Sequence, residues 1–79
     1  MSGKVIHFTR HAKRRMKLRG ITEEMVAQTI YNAERAGTGY EDKDLAFRLF
    51  VGKTLKVVFK EEKGRFVVIS TIWERGSKL

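Results

Sequence analysis

Two spacings of apolar residues divide this sequence. Lys4-Val-Ile-His-Phe8 is a β-branched and aromatic run, and it predicts a short edge strand. From His11 the spacing becomes helical, because Ala12 and Met16 lie four apart, one turn above the other, with polar residues around them. Thr9 can N-cap this helix, and Gly20 can close it in the left-handed conformation, which would fold Ile21 back on Met16. Thr22 reads as the N-cap of a second helix, with Glu23 and Glu24 well placed for its dipole and Ile21 stapled to Val26. Met25, Val26, Thr29, Ile30 and Ala33 make its apolar face.

Between Glu34 and Asp44 the periodicity lapses. Gly37, Gly39 and the run Glu41-Asp42-Lys43-Asp44 predict a loop, and Tyr40, its one aromatic, is expected to cap the edge of the core. The spacing then becomes two. Leu45, Phe47, Leu49 and Val51 alternate with Ala46, Arg48 and Phe50, a tight turn is expected at Gly52-Lys53, and Leu55, Val57 and Phe59 alternate with Thr54, Lys56, Val58 and Lys60. A second turn falls at Glu62-Lys63-Gly64, before a last strand, Phe66 to Trp73, that is apolar on both faces and therefore central or covered on both sides.

The pattern predicts one α+β domain over residues 1–79: two N-terminal helices packed on one face of a small antiparallel sheet, in the order β-α-α-β-β-β. Two helices of this length cover one face. The other would show Arg48, Lys56 and Lys60 beside Phe50 and Val58, and apolar surface should remain open toward Trp73. Such mixed basic and apolar surface suits nucleic acid or a partner chain as well as it suits water.

A chain of 79 residues has a thin core and buries only about 60% of its unfolded surface. It has no cysteine, which excludes disulfides, thiolate metal sites and a cysteine nucleophile. His7 and His11 are its only histidines, so no metal is expected, and no other cofactor is either. Charge changes the picture more. The formal net charge is +8, and before Glu23 there stand Lys4, Arg10, Lys13, Arg14, Arg15, Lys17 and Arg19 with no acid among them, as in proteins that meet polyanions. No apolar run approaches the roughly 20 residues of a membrane span, nor does the N-terminus carry the hydrophobic segment of a signal peptide. A cytoplasmic protein without a membrane partner is expected.

Within the first helix, His11, Arg15 and Arg19 form a series at successive turns. Arg10, Lys13, Arg14, Arg15 and Lys17 crowd the same helix, and Arg10 and Lys13 oppose the macrodipole in its first turn by roughly 0.3 to 1 kcal/mol each. Helix stability does not account for them. A site for phosphate does, and so would a solvated face paired with Glu23, Glu24 or Asp42.

The run His11-Ala12, Arg15-Met16, Arg19-Gly20-Ile21-Thr22, followed by a helix, two hairpins and the closing strand Val68-Ile-Ser-Thr-Ile-Trp73, resembles a family of small domains of unknown function. That family opens with His-Ala-x-x-Arg-Met-x-x-Arg-Gly-Ile-Ser/Thr, and in architecture it resembles the RelE, ParE and BrnT toxins of toxin-antitoxin systems. The resemblance implies a RelE-like α+β domain that cleaves RNA without a metal and is held inactive by an antitoxin. Such cleavage needs a base for the 2′-hydroxyl proton, cations for the phosphate and an acid for the leaving oxygen. On this chain His11 would be the acid or base, and Arg15 and Arg19 would grip phosphate in their planar forks. Arg10, Lys13, Arg14 and Lys17 would add backbone contacts, with Arg48, Lys56, Trp73 and Arg75 as secondary candidates on the sheet. Structural roles stand beside these: His11 can bond a backbone carbonyl, and Arg15 and Arg19 can serve the acidic loop. The partners implied are RNA, free or on the ribosome, an acidic antitoxin and a second copy of the chain. A noncatalytic nucleic-acid-binding module and a protein docking an acidic partner are the alternatives to the ribonuclease.

Overall fold

The computed structural model describes residues 5–74, so Lys4 and Arg75 lie outside the described residues. The chain forms β1 (Ile6–Phe8), α1 (Arg10–Arg19), α2 (Glu23–Tyr31), β2 (Arg35–Thr38), β3 (Asp44–Phe50), β4 (Lys53–Glu62) and β5 (Arg65–Glu74). The α+β architecture is the expected one, with α1 over β5 and α2 over β3 and β4. The sheet runs β1-β5-β4-β3-β2, so β1 is an edge strand and β5 is interior.

The helical corner follows its sequence signals closely. Thr9 Oγ1 accepts from the Ala12 N–H at 3.1 Å and donates to the Val68 carbonyl, so one hydroxyl both starts α1 and ties it to β5. Gly20 takes φ 70°, and the N–H groups of Gly20 and Ile21 both reach the Met16 carbonyl. Thr22 caps α2 through the Met25 N–H. Ile21 enters the core with Met16 and Val26, so the two helices share one apolar joint. Ala33 lies beyond the end of α2 and is exposed.

Three features depart from the expectation. The stretch expected to be a loop contains a fifth strand, Arg35–Thr38, paired antiparallel with β3. Its four residues are all exposed, so no alternation of burial marked it. The sheet is mixed, since β1 pairs parallel with β5. The first hairpin turns at Val51-Gly52, one residue earlier than expected, because Phe50 pairs with Lys53.

That two-residue turn decides which side chains share a face. It pairs Ala46 with Val57 and Arg48 with Leu55, so even-numbered residues of β3 lie with odd-numbered residues of β4. The helix side of the sheet carries Ala46, Leu55, Val57, Phe59 and Val68 in the core, with Phe50 and Trp73 packed against it. Phe50 and Arg48 are therefore on the covered face, and the expectation that they stand beside Lys56, Val58 and Lys60 is corrected. In β5 the register shifts between Val58↔Ser70 and Phe59↔Val68, which leaves Ile69 as an extra residue. The core side thus passes from Phe66 and Val68 to Thr71 and Trp73, one reason the last strand reads as apolar on both faces.

The hairpin tip is strained. Val51 has φ 44° and its side chain is wholly exposed, in a turn where both central residues need positive φ. A β-branched residue tolerates that conformation poorly and here has no contact to lose. Val51→Asn is expected to raise stability by about 1 kcal/mol, read as a higher urea midpoint. A lower midpoint would mean that the turn is not the strained element.

Candidate functional site

The 3.6-residue turn fixes what α1 offers to solvent. Ala12 and Met16 are buried, and every other residue from Arg10 to Arg19 is exposed. Positions four apart advance by about 40° around the axis, so the series His11, Arg15, Arg19 spirals toward the sheet. Its last member arrives there: Arg19 Nη1 donates to the Thr71 carbonyl at 2.6 Å, while the Arg19 carbonyl accepts from Trp73 Nε1 at 2.9 Å. Arg19 and Trp73 thus lock the end of α1 onto β5. Trp73 also meets Phe50 edge-on at 6.5 Å between centroids and carries Lys53 Nζ 5.2 Å above its ring. It belongs to the covered face and not to an open sheet surface.

Arg10, His11, Lys13, Arg14, Arg15 and Lys17 remain on the solvent side. Among the described residues none of them is in an ion pair or side-chain hydrogen bond, and the acids that do pair choose other cations. Glu41 takes Lys43 at 2.7 Å, Glu34 takes Arg48, Glu74 takes Lys56 and Glu62 takes Lys60. Leu18 stands among the free cations with 78% of its surface exposed. Five cations and an imidazole thus share the solvent side with one exposed aliphatic residue, on a helix tied to the sheet from beneath.

Arg48 has a local duty. Its Nη1 donates at 2.8 Å to the carbonyl of Asn32, the C-cap of α2, and Glu34 in turn accepts from the Leu49 N–H. A cation at a helix C-terminus satisfies a free carbonyl and suits the dipole, so Arg48 secures the corner from α2 into β2 and β3. Lys56 points to the uncovered face, as expected. The structure therefore gathers six of the sequence-derived site residues on α1 and sets Arg19, Arg48 and Trp73 to holding the fold.

A second feature was not foreseen. On the sheet face away from the helices, Thr38, Gly39, Tyr40, Lys43, Leu45, Lys56 and Val58 line an open groove of about 660 Å³. Tyr40 is 91% exposed and does not cap the core; it stands at the groove's edge, in a 3-10 turn (Tyr40–Asp42). That turn has Glu41 and Asp42 at φ 57° and 60°, two successive left-handed residues that are neither Gly nor Asn. Strain of this sort costs roughly 1 to 3 kcal/mol per residue and persists where the surroundings hold it. Here a Gly39 N–H to Lys43 carbonyl bond of 2.7 Å and the Lys43–Glu41 pair hold it. The hydrogen bond from Lys43, then its charge, keeps the Glu41 carboxyl below the usual carboxylate range, and Lys60 adds to this from nearby. The sequence signal was the pair Gly37 and Gly39, which leave Leu45 bare: a Cβ on Gly39 would lie 3.3 Å from Leu45 Cδ2.

Among the described residues no group of His, Asp and Glu could hold a metal ion, and no helix is long and apolar enough to cross a membrane. Residues 8–74 match the family model of DUF4258, a domain of unknown function, and the chain belongs to that family. No curated protein and no solved structure matches it.

Proposed function

We propose that this protein binds RNA through the solvent face of α1. The observation that carries the reading is the set Arg10, His11, Lys13, Arg14, Arg15 and Lys17, exposed together and in no ion pair or side-chain hydrogen bond among the described residues. Crowded like charges on a short helix lower its stability, and a polyanion converts that cost into binding free energy by releasing counterions. The seat of α1 on β5 holds the helix backbone in place, so only the side chains need ordering on binding, which favours affinity.

Binding should weaken steeply with salt. Each phosphate contact to a single strand contributes about 0.7 to the slope of log affinity against log salt concentration, so Arg14→Gln with Arg15→Gln should flatten the slope by about 1.4. Titrations at several salt concentrations read this directly. An unaltered slope would remove α1 from the interface.

A toxin-like ribonuclease is the second reading, favoured by one feature: His11 lies exposed, one turn before Arg15. The imidazole could take or give a proton at a phosphate held by Arg15. RNA incubated with the protein and run on a denaturing gel separates the two. Intact RNA that shifts on a native gel fits binding alone, and fragments that disappear with His11→Ala fit the nuclease.

A further inference from the structure

We infer that the groove beside Tyr40 is a second nucleic-acid site, which takes the base of an unpaired nucleotide while Lys56 and Lys60 meet the flanking phosphates. This deepens the RNA reading above and rests on it, but α1 plays no part in the site, which lies on the other face of the sheet.

Three features select this occupant. The floor is apolar, from Leu45 and Val58, and the wall is a phenol ring whose faces are open to solvent. A flat, apolar slot beside a free aromatic ring is what a nucleobase stacks into, and stacking tolerates any base because each has a π-face. A duplex keeps its bases inside, so only an unpaired strand can use the slot. The charges lie at a suitable distance. Lys56 and Lys60 point to the same side of β4 four residues apart, about 13 Å along a strand, with Val58 between them, a span that suits an extended strand passing over the groove. Their acid partners hold them weakly. The Lys56–Glu74 contact is 3.9 Å and the Lys60–Glu62 contact 3.4 Å, both on the surface, where such pairs contribute little and open readily. The tight pair, Lys43 with Glu41, instead fixes the turn that presents Tyr40.

The backbone supports the same assignment. Gly39 lines the groove, where a Cβ would crowd Leu45 Cδ2 at 3.3 Å, and a Cβ on Gly37, paired with Leu45 across the strands, would lie 3.9 Å from Leu45 Cδ1. The turn that follows keeps two residues left-handed while leaving the aromatic ring out of the core.

The test uses two labelled probes, a ten-nucleotide oligo(A) and a ten-base-pair blunt RNA duplex, measured by fluorescence anisotropy at one salt concentration. Tyr40→Ala should weaken oligo(A) by about tenfold and the duplex by less than about twofold, the size of one lost stacking contact. Tyr40→Phe should keep wild-type affinity. Gly37→Val, which sets a branched side chain against Leu45 at the border of the groove and leaves the ring in place, should reproduce Tyr40→Ala. Tyr40 is exposed and Gly37 lies in an extended strand, so neither change threatens the fold, and circular dichroism checks this. If Tyr40→Ala and Gly37→Val leave oligo(A) within about twofold of wild type, or weaken both probes equally, the groove is not a base site. So too if, in a parallel titration, a labelled acidic peptide loses affinity with the two changes and oligo(A) does not. The α1 pair Arg14→Gln/Arg15→Gln should weaken both probes. Should it weaken neither while the groove variants still weaken oligo(A), the α1 reading fails and the groove stands; the reverse pattern removes the groove alone.

Discussion

Leu55→Ala should cost about 3 kcal/mol of folding stability, the largest single-residue effect expected in this chain. Leu55 is fully buried in the middle strand, between Arg48 on β3 and Trp73 on β5, on the side that both helices cover. Truncation removes its transfer free energy and leaves a cavity that a rigid sheet cannot close, which costs 2 to 5 kcal/mol in well-packed cores. The surroundings restrict relaxation further. Trp73 is held by its bond to the Arg19 carbonyl and Arg48 by its bond to the Asn32 carbonyl, so neither can move in to fill the space without loss. A domain of this size is stable by roughly 4 to 12 kcal/mol in all, at about 0.05 to 0.15 kcal/mol per residue. Urea denaturation should show the midpoint falling by about 2 M or more, given a slope near 1 to 1.5 kcal/mol/M. Leu49→Ala, on the opposite face and 45% exposed, is the control and should cost less than about 1 kcal/mol. Similar losses at the two sites would mean that the core is not where the helices meet the sheet.

The sequence made the helical corner legible because its signals are local. Thr9, Gly20, Ile21 and Thr22 act within a turn or two of themselves, and each takes the place its chemistry asks for. The sheet was legible only as far as alternation goes. Alternation locates two faces but does not say which series on one strand joins which on the next; the turn decides that, and placing it one residue late hid the pairing of Arg48 with Leu55. β2 escaped because a short, exposed edge strand has no buried side to leave a pattern. The α1 cations could be read as a set, but Arg19's bond to Thr71 joins positions 52 residues apart, beyond any local signal. Tyr40 misled for a related reason: an aromatic in a polar loop usually finds the core, and only the left-handed pair Glu41-Asp42 shows why this one does not.

Replacing Arg10, Lys13, Arg14 and Arg15 together with Gln should move binding and stability in opposite directions. All four are exposed and in no ion pair among the described residues, so no folding contact is lost with them. Gln matches Arg and Lys closely in helix propensity. What disappears is repulsion: Arg10 with Arg14 and Lys13 with Lys17 are like charges one turn apart, and Arg10 and Lys13 also oppose the dipole of the first turn. Removing these should stabilise the fold by about 1 kcal/mol or more at low salt, a rise of roughly 5 °C in Tm. Affinity for RNA should fall much further. Each lost phosphate contact removes about 0.6 log units near 0.15 M salt, so four remove about 2.4 log units, roughly 250-fold. A lower Tm would show that some of these cations hold the fold rather than burden it. Affinity within about threefold of wild type would place the RNA surface elsewhere on the molecule. A higher Tm with a complex weakened by roughly 250-fold is the outcome that identifies α1 as a helix whose charge serves binding at the expense of its own stability.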